Sequence, residues 1–582
     1  MSLIGECRIF SIFRQGVTMW GQDNFLMQFV KLAGPFWNSE NKFVIRKNTL
    51  LLIALTVAQI GIAVIITEWN AALFDALEQR SMTGLMTQIG SLVLIFIASI
   101  TITTMHLIVK RRLLIDWRLW LTEKVIAKWM HKGRHYQITF MSKTDHDNPD
   151  GRIAEDIRIA TEEAIAMAHS LFYSVLLLGS FTKILWTLSD TVVFDMGFGS
   201  ISVAGYLVWI AVIYSVFASI LGWWMAKPLT AATNFRQAEE ANYRYDLIKA
   251  QENSQAIALI QGEDNEQKRF LNAFQAIIDT YQQQTAAWKQ IQIFTSGYSV
   301  ASMALPILVA APRYIVGAIS LGTLMQSVQA FGHMVSALSW PVNNMAQIAK
   351  WRASVERVLG LVKALDELDF DIACLNSHQI CVEKSEKPVL KLDNVTIANL
   401  DGETISSTIN DEIKIGERVL ISGETATGAK LFQAIAGLWP WGSGHIEVPA
   451  DEALFFMPPR PYLPTGSLYA AICYPKNIAS CSRTDLEKLL KKVELKYLVK
   501  QLDQVESWGQ LLSREQQQRL GVVRVLLHRP DWIFIQEALD SLTPDGEIQM
   551  MTLLDKELPQ SAILSITNQP TAEAFHQRKL NI

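Results

Sequence analysis

The feature that most constrains this chain is a series of apolar runs, each roughly 20 residues long, between Asn48 and Ser339. A bilayer core about 30 Å thick requires roughly 20 helical residues to cross it. The runs therefore predict transmembrane helices, and no comparable run follows Pro388. The six predicted spans are Leu50–Thr67, Gln88–Val109, Leu171–Leu188, Val203–Leu221, Ser296–Ala311 and Ile319–Ser339.

The charge balance and the cysteines exclude several classes of protein. The 582 residues include 52 basic and 56 acidic side chains, for a formal net charge of −4. A nucleic-acid binder normally carries a basic excess, so no nucleic-acid partner is predicted. The 5 cysteines are odd in number and form no Cys-x-x-Cys pair, which argues against a disulfide scaffold and a structural zinc site. No metal-ligand set is therefore predicted.

The positions of Lys and Arg predict the orientation in the membrane. Basic residues precede span one, follow spans two and six, and separate spans four and five, whereas Asp190 and Asp195 stand without a basic residue between spans three and four. Because positive loops stay on the cytoplasmic side, both termini are expected there. The first residues lack the layout of a cleavable signal, so span one is expected to remain as an anchor. The long cytoplasmic connections predict helices over Arg152–His169 and Ala238–Gln261.

After the spans the pattern becomes that of an α/β domain. Alternation of short apolar runs with helical stretches is typical of a largely parallel sheet. The predicted domains are an N-terminal segment (1–48), a six-span domain (49–365), a linker (366–387) and the α/β domain (388–582). The predicted strands are Arg418–Ile421, Ala453–Met457, Trp532–Ile535 and Ala562–Ile566, and the predicted helices are Leu431–Leu438, Arg483–Leu490 and Gln516–Leu527.

One loop of the α/β domain has the pattern of a phosphate-binding loop. The first predicted strand runs directly into Gly423-Glu-Thr-Ala-Thr-Gly428-Ala429-Lys430 and then into a helix. Glycines at a strand-to-helix turn let backbone N–H groups surround a phosphate at the helix N-terminus.

Several segments together resemble a known family. They are Phe74–Gln79, Asn148–Asp156, Gln251–Ala258 and Trp351–Arg357 in the membrane half, and Ala436–Gly444, Pro459–Pro464, Leu512–Ser513, Gln517–Arg519 and Leu526–Trp532 in the α/β half. In this order they resemble the ABC half-transporters of the SbmA/BacA and YddA type, which are related to the peroxisomal fatty-acyl half-transporters. The resemblance covers nearly the whole chain. It implies a six-span permease fused to an ATP-binding domain that dimerises in the lipid bilayer, uses ATP and Mg²⁺, and moves a peptide, a vitamin-like molecule or a fatty-acyl compound.

The resemblance also assigns a nucleotide-binding loop, in which two positions are altered. The lysine that meets the β- and γ-phosphates in the family is Ala429 here, and the hydroxyl that meets Mg²⁺ is Lys430. One residue along a helix is a rotation of about 100°, so Lys430 is not expected to replace the missing ammonium. The remaining backbone N–H groups leave weak nucleotide binding open. The loop comprises Gly423, Glu424, Thr425, Ala426, Thr427, Gly428, Ala429, Lys430 and Leu431.

Other family positions that handle ATP are altered as well. Gln536 has no charge to offer Mg²⁺ where the Walker B strand normally ends in Asp. No aromatic residue lies between Lys391 and Asn410, where the family stacks adenine. The signature glycines after Ser513 are replaced by Arg514 and Glu515, the Q-loop glutamine by Pro459, the D-loop aspartate by Thr543 and the switch histidine by Asn568.

Glu537 matches the catalytic base of the family and has two interpretations. It polarises an attacking water, or it is an acidic residue left at a strand end after the metal ligand was lost. Removing one oxyanion-type donor alone typically costs about 10²–10³ in rate. The combined losses predict negligible ATP hydrolysis by a homodimer, in which the α/β domain serves dimerisation and coupling.

Three further interpretations stay open. The SbmA/BacA type works without a nucleotide-binding domain and couples uptake to the proton gradient, which suggests a proton-coupled importer with a vestigial domain. An intact half-transporter could instead be the partner in a heterodimer. A regulator that transports nothing could keep the same fold.

Ionisable residues within the spans are the candidates for a transport path. Each also has a structural interpretation, which is snorkelling to the interface near a span end or a satisfied buried imidazole. No Asp or Glu lies in the middle of a predicted span, and the nearest acidic cluster is Glu68, Asp75 and Glu78 at the outer end of span one. The candidates are His106, Lys183 and His333.

Overall fold

The chain folds into two units made of interleaved segments. The computed structural model describes residues 24–141, 148–189, 191–195, 200–374, 379–450, 452–567 and 569–582. The membrane unit consists of Asn24–Val125 and Asn148–Gly360. The α/β unit includes Ile126–Asp147 and Leu361–Ile582.

Within the part of the chain that the structure describes, five helical stretches are long and apolar enough to cross a membrane. They contain the first five predicted spans almost entirely, so these five predictions are confirmed. Many of their apolar side chains, such as Leu94 and Leu308, point outward, as expected for helices that face lipid rather than a protein core. The five stretches are Lys42–Glu78, Met82–Phe140, Pro149–Ser189, Tyr206–Met225 and Glu263–Ile315.

The sixth predicted span is a helix, Leu321–Leu338, but it is not one of the five that qualify by length and composition. This helix packs against four other long helices of the unit, Lys42–Glu78, Ile157–Ser189, Tyr206–Glu252 and Glu263–Ile315. Its residues Ala330 and Phe331 are fully buried. A helix enclosed by helices needs small and weakly polar residues for close packing more than it needs an apolar surface on all sides. Five of the six predicted spans therefore meet the criteria of length and hydropathy among the described residues, and the sixth is present as a less apolar helix.

The segment before the fourth span also differs from the prediction. Thr191–Asp195 and Ser200–Ala204 form an antiparallel hairpin, and the helix begins at Tyr206 rather than at Val203. Both predicted connecting helices are present. The first, Arg152–His169, is a π-helical turn at Arg152–Asp156 that continues into helix Ile157–Ser189, and the second, Ala238–Gln261, is covered by the end of helix Tyr206–Glu252 and by helix Ser254–Leu259. The other longer helices are Phe25–Ala33, Met82–Met130, Arg134–Met141 and Met345–Cys374.

The α/β unit contains the predicted parallel sheet. Three predicted strands match within one residue and the fourth matches in full at Ala562–Ile566. All neighbouring strands of this sheet are parallel. In spatial order the strands are Arg578–Asn581, Arg418–Ser422, Ala562–Ile566, Trp532–Gln536 and Leu454–Met457.

A second sheet of four strands was not predicted. Its strands carry charged residues on one face, so they lack the continuous apolar runs that mark the buried parallel strands. One strand pair is parallel and two are antiparallel. In spatial order the strands are Cys381–Ser385, Gly442–Pro449, Val389–Ile397 and Ile409–Lys414.

The helices of the α/β unit pack on both sheets around two apolar cores. The predicted helix Leu431–Leu438 is observed at Thr425–Ile435. Its start was missed because the first turn is polar, and it ends before Leu438 because Gly437 adopts a φ of +73°. The other helices are Leu468–Cys473, Arg483–Lys492, Trp508–Leu511, Arg514–His528 and Pro544–Glu557.

A pair of helical segments completes the α/β unit. Lys128 forms an ion pair with Asp366, and Arg134 Nε lies 2.6 Å from an Asp369 carboxylate oxygen. Gln137 Nε2 donates a 3.0 Å hydrogen bond to the carbonyl of Leu438 beyond the first helix of the sheet region. The sequence predicted a linker at 366–387. In the structure this range contains the end of helix Met345–Cys374 and the whole strand Cys381–Ser385.

Candidate functional site: an altered nucleotide-binding loop and a buried histidine pair

The glycine loop, Gly423–Leu431, connects a central parallel strand to a helix, as the sequence predicted. Gly423 has a φ of +144°, which favours glycine. A Cβ atom at Gly423 would lie 2.8 Å from Cγ1 of Ile582, and one at Gly428 would lie 3.0 Å from Cδ1 of Ile566. Gly423 is thus required by the backbone turn, and both glycines pack closely against an isoleucine, whether or not a phosphate binds.

The only lysine of this loop points away from it. Lys430 Nζ donates a 2.6 Å hydrogen bond to Oδ1 of Asn399 and lies 5.0 Å from the centre of the Trp439 ring. The Trp439 ring is itself held by a 3.0 Å hydrogen bond from its Nε1 to the carbonyl of Ala398. An amide oxygen and an aromatic face are good partners for an ammonium, so Lys430 is stably held outside the loop. Ala429 provides no charge in its place.

The strand that should hold Mg²⁺ ends in an uncharged side chain. Gln536 is the last residue of Trp532–Gln536 and is half-buried. The next residue, Glu537, has a left-handed φ of +45°, and its N–H donates to the carbonyl of Ile566 at 2.8 Å. The backbone therefore turns at Glu537. The position just before this turn, where the family carries the carboxylate of the Walker B strand, is the uncharged Gln536.

Gln518 links this strand end to two neighbouring loops and was not singled out from the sequence. Its Nε2 donates to the carbonyls of Pro459 and Glu537, both at 3.2 Å, and its Oε1 accepts from the N–H of Ser541 at 2.9 Å. Gln518 is buried, so these three bonds satisfy a side chain that would otherwise be costly to bury. The signal was available, since a polar residue in the middle of an apolar helix pattern needs partners.

The signature positions begin a helix with an intact N-cap. Ser513 Oγ accepts from the N–H of Gln516, whose Oε1 accepts from the N–H of Ser513, which makes a capping box. Arg514 and Glu515 form the first turn of this helix. Glu515 Oε1 accepts from Arg519 at 3.0 Å and 3.2 Å. The Glu515 carboxylate is therefore paired with Arg519 of the same helix. Because its charge is partly neutralised, it repels an approaching phosphate less than an unpaired carboxylate would.

The remaining predicted positions have structural roles where they are described. Thr543 caps helix Pro544–Glu557 by accepting from the N–H of Gly546 at 3.2 Å. The Pro459 carbonyl accepts the Gln518 bond described above. Asn568 lies outside the described residues.

Burial changes the pKa of several side chains in the α/β unit, among them Arg524, Cys473 and Glu547. It lowers the pKa of Arg524 to about 10 and raises that of Cys473 to about 12, so this thiol stays protonated and unreactive at neutral pH. Burial also raises the pKa of Glu547, whose carboxylate accepts a hydrogen bond from the hydroxyl of Thr571.

The residues present do not fit Mg²⁺ and ATP. The loop has no ammonium directed into it, and the strand end has no carboxylate at Gln536. Among the described residues, no group of three or more His, Cys, Asp or Glu side chains is placed to hold a metal ion.

The three ionisable candidates in the membrane unit do not form one cluster. His106 is 7% exposed and its ring lies 4.3 Å from the ring of His169. His333 packs on Phe181 with ring centres 4.4 Å apart, and Lys183 is exposed on the surface of the unit. His169 was not predicted as a site residue, because it lies two positions before the predicted third span.

The acidic cluster at the end of span one is used to cap the sixth helix. The N–H of Leu321 donates to Glu78 Oε2 and the N–H of Gly322 donates to Asp75 Oδ1, both at 2.9 Å. Carboxylates at a helix N-terminus satisfy free N–H groups and interact favourably with the helix dipole. This contact gives the two carboxylates a structural role.

Apolar helices followed by a parallel α/β unit with a glycine loop define the class, a membrane protein with a fused domain of the nucleotide-binding type. The model of ABC transporter transmembrane region 2 matches residues 35–315. An uncharacterized ABC transporter ATP-binding protein of Haemophilus influenzae is 30% identical over 470 residues, which are 80% of this chain and 77% of that protein. The chain therefore belongs to the ABC transporters, as a half-transporter with fused transmembrane and ATP-binding regions.

Two further relatives support the assignment along most of the chain. The inner membrane ABC transporter ATP-binding protein YddA of Escherichia coli is 26% identical over 557 residues, 94% of this chain and 95% of that protein. The chloroplastic ABC transporter D family member 2 of Arabidopsis thaliana is 25% identical over 625 residues, 95% of this chain and 86% of that protein.

Proposed function

We propose that this protein is one half of a homodimeric transporter in a bacterial-type inner membrane, that it moves a peptide-, vitamin- or lipid-like solute, and that its ATP-binding domain has lost hydrolysis. The observation that carries the loss is the position of Lys430, whose ammonium is bound to Asn399 and Trp439 rather than directed into the glycine loop. With Ala429 at the preceding position, no positive side chain of the loop faces a phosphate. Electrostatic stabilisation is the main source of catalysis in phosphoryl transfer, so its loss removes the largest contribution.

The retained glycines do not argue against this proposal. Their Cβ positions are closed by Ile582 and Ile566, so a larger residue would disturb the sheet even in a domain that binds nothing. The same holds for Gln518, whose three hydrogen bonds join loops of the fold. Both features support a domain kept for dimerisation and coupling.

Hydrolysis by the purified protein in lipid tests the proposal, with and without Mg²⁺. We expect turnover at the background rate, unchanged by Glu537→Gln. A triple variant that restores the family residues, Ala429→Lys with Lys430→Ser and Gln536→Asp, is the matched gain-of-function control. Turnover by the natural chain that Glu537→Gln abolishes would refute the loss of hydrolysis.

The domain bounds and the orientation are part of the same proposal. We place the N-terminal segment at 1–48, the membrane domain at 49–365, the linker at 366–387 and the ATP-binding domain at 388–582, with both termini cytoplasmic. The support is the distribution of Lys and Arg around the spans. Reporter fusions at each connection test the orientation, and a periplasmic signal from the last residues would contradict it.

Three other functions are separated by simple measurements. Uptake that a protonophore abolishes but ATP depletion does not would indicate a proton-coupled importer of the SbmA/BacA kind. Co-purification of an intact half-transporter would indicate a heterodimer. Absence of any uptake defect on deletion would indicate a regulator.

A further inference from the structure

Two imidazoles inside the membrane unit have ring nitrogens without partners. His106 of helix Met82–Met130 and His169 of helix Ile157–Ser189 lie with ring centres 4.3 Å apart and planes tilted by 46°. The Nε2 atom of each is buried and has no hydrogen-bond partner among the described residues. Buried polar atoms are nearly always paired in folded proteins, so an exception of this kind calls for a functional explanation.

His169 of this pair borders two cavities. His169 lines a cavity of about 380 Å³ together with polar groups of Gln59, Ser99, Thr103 and Tyr173. It also lines a second cavity of about 360 Å³ whose other walls are mainly apolar and aromatic, among them Phe172. An imidazole between a polar and an apolar cavity suits a ligand with a polar head and an apolar body.

The charges around the pair are positive. Lys110, one turn beyond His106, acts electrostatically on both imidazoles, and Arg111 follows it. Helix Lys42–Glu78 contributes only Gln59 as a hydrogen-bonding amide to the polar cavity, and Tyr173 is the other titratable group in its lining. In the apolar cavity His169 is the sole titratable lining residue among those described. A site lined by neutral donors, with the Lys110 ammonium nearby and no carboxylate among its described lining residues, favours an anion.

We propose that His169 binds the carboxylate of a small amphipathic solute in the polar cavity, and that His106 is the positioning residue that holds the imidazole of His169 and shares its proton. The apolar body of the solute lies along the apolar cavity, and Lys110 supplies the long-range counter-charge. Because an anion beside an imidazole favours its protonated form, binding takes up a proton and tightens as the pH falls. This inference rests on the proposed transport function, whose substrate class it narrows.

The test uses the full chain in phosphatidylcholine nanodiscs and two matched probes. These are 4-phenylbutyrate and the neutral 4-phenylbutanol, whose binding is measured by calorimetry at pH 6 and pH 8. We expect the carboxylate to bind tighter at pH 6, and the alcohol to bind equally at both. His169→Gln should weaken carboxylate binding roughly tenfold or more and His106→Gln should flatten its pH dependence, with alcohol binding unchanged.

Controls from the same membrane unit make the result specific. His333→Gln removes an imidazole that packs on Phe181, and Lys183→Gln removes an exposed cation, so both should bind the carboxylate like the natural chain. Equal affinity for the two probes, or carboxylate binding unaffected by His169→Gln, would overturn the assignment. Loss of carboxylate binding when phosphatidylserine is added would overturn it in favour of a lipid headgroup. These binding measurements need no ATP, so their failure is distinct from any failure of the proposed loss of hydrolysis.

Discussion

Among the described glycines of the membrane unit, Gly322 leaves the least room for a Cβ atom, and it provides the sharpest test of the packing described above. A Cβ atom at this position would lie 2.2 Å from the carbonyl oxygen of Ala71 and 2.4 Å from Oδ1 of Asp75. The Ala71 carbonyl lies within helix Lys42–Glu78, about two turns before its end, so it cannot move unless the helix moves with it. Gly322→Ala must therefore push helix Leu321–Leu338 away from its neighbour.

The size of the effect follows from three contributions. Overpacking of a closed contact costs about 1–3 kcal/mol. Separation of the helices also weakens the hydrogen bonds from the N–H groups of Leu321 and Gly322 to the carboxylates of Glu78 and Asp75. A hydrogen bond to a charged acceptor contributes about 1.5–3 kcal/mol. Alanine returns about 0.5–1 kcal/mol through its better helix propensity. We expect a net destabilisation of about 2–4 kcal/mol.

Gly332 of the same helix is the matched control. A Cβ atom there meets nothing within 4 Å, so Gly332→Ala should be neutral or stabilising by up to about 1 kcal/mol. Thermal unfolding of the two variants in one detergent, followed by tryptophan fluorescence and by size-exclusion recovery, compares them directly. We expect the apparent Tm of Gly322→Ala to fall below that of Gly332→Ala by roughly 5–10 °C. Equal melting of the two variants would refute the close approach.

Three other changes test the α/β unit. Gln518→Leu should destabilise it by about 2–3 kcal/mol, measured by denaturant titration, because the three hydrogen bonds of this buried amide to the backbone of Pro459, Glu537 and Ser541 are lost; an unchanged midpoint would contradict the role assigned to this amide. Burial raises the pKa of Glu547, so the native state binds its proton more tightly than the unfolded chain does, and the stability that this proton provides at low pH is lost as the pH rises through the native pKa. Glu547→Gln should accordingly gain Tm over the natural chain as the pH rises from 5 to 8, whereas a constant difference would exclude titration of this carboxyl group. Lys430→Met should leave nucleotide binding in a filter assay unchanged but lower the Tm slightly, through loss of the bond to Asn399; a drop in binding would show that the ammonium does serve the loop.

The parallel sheet could be predicted because its strands are buried on both faces. Arg418–Ser422, Trp532–Gln536 and Ala562–Ile566 read as short apolar runs bounded by turn residues, which is the pattern of such strands. The four-stranded sheet has no such pattern, since strands like Ile409–Lys414 alternate buried and exposed residues and carry charge. The hairpin at Thr191–Asp195 was missed for the opposite reason, because its partner strand merges with the apolar run of the fourth span.

The sites divide in the same way between local and distant information. The loss of the loop lysine is visible at Ala429, because the family pattern fixes that position within a few residues. The pairing of His106 with His169 is not visible, since the two residues are 63 positions apart and meet only when two membrane helices pack. The same is true of the carboxylates of Asp75 and Glu78, which the sequence could place near a membrane surface but not on the N-terminus of a helix far along the chain.

The structure also indicates which motif residues can report on ATP chemistry at all. Gly423 is needed by the turn, both Gly423 and Gly428 pack closely against an isoleucine, and Gln518 joins three loops. A domain that had lost nucleotide binding would therefore keep all three for the sake of its fold. Position 429 is different, because the fold does not require a particular side chain there. The lysine that the family carries at this position serves only to bind phosphate. The presence of the glycines thus says little about activity, whereas the alanine at 429 bears directly on it.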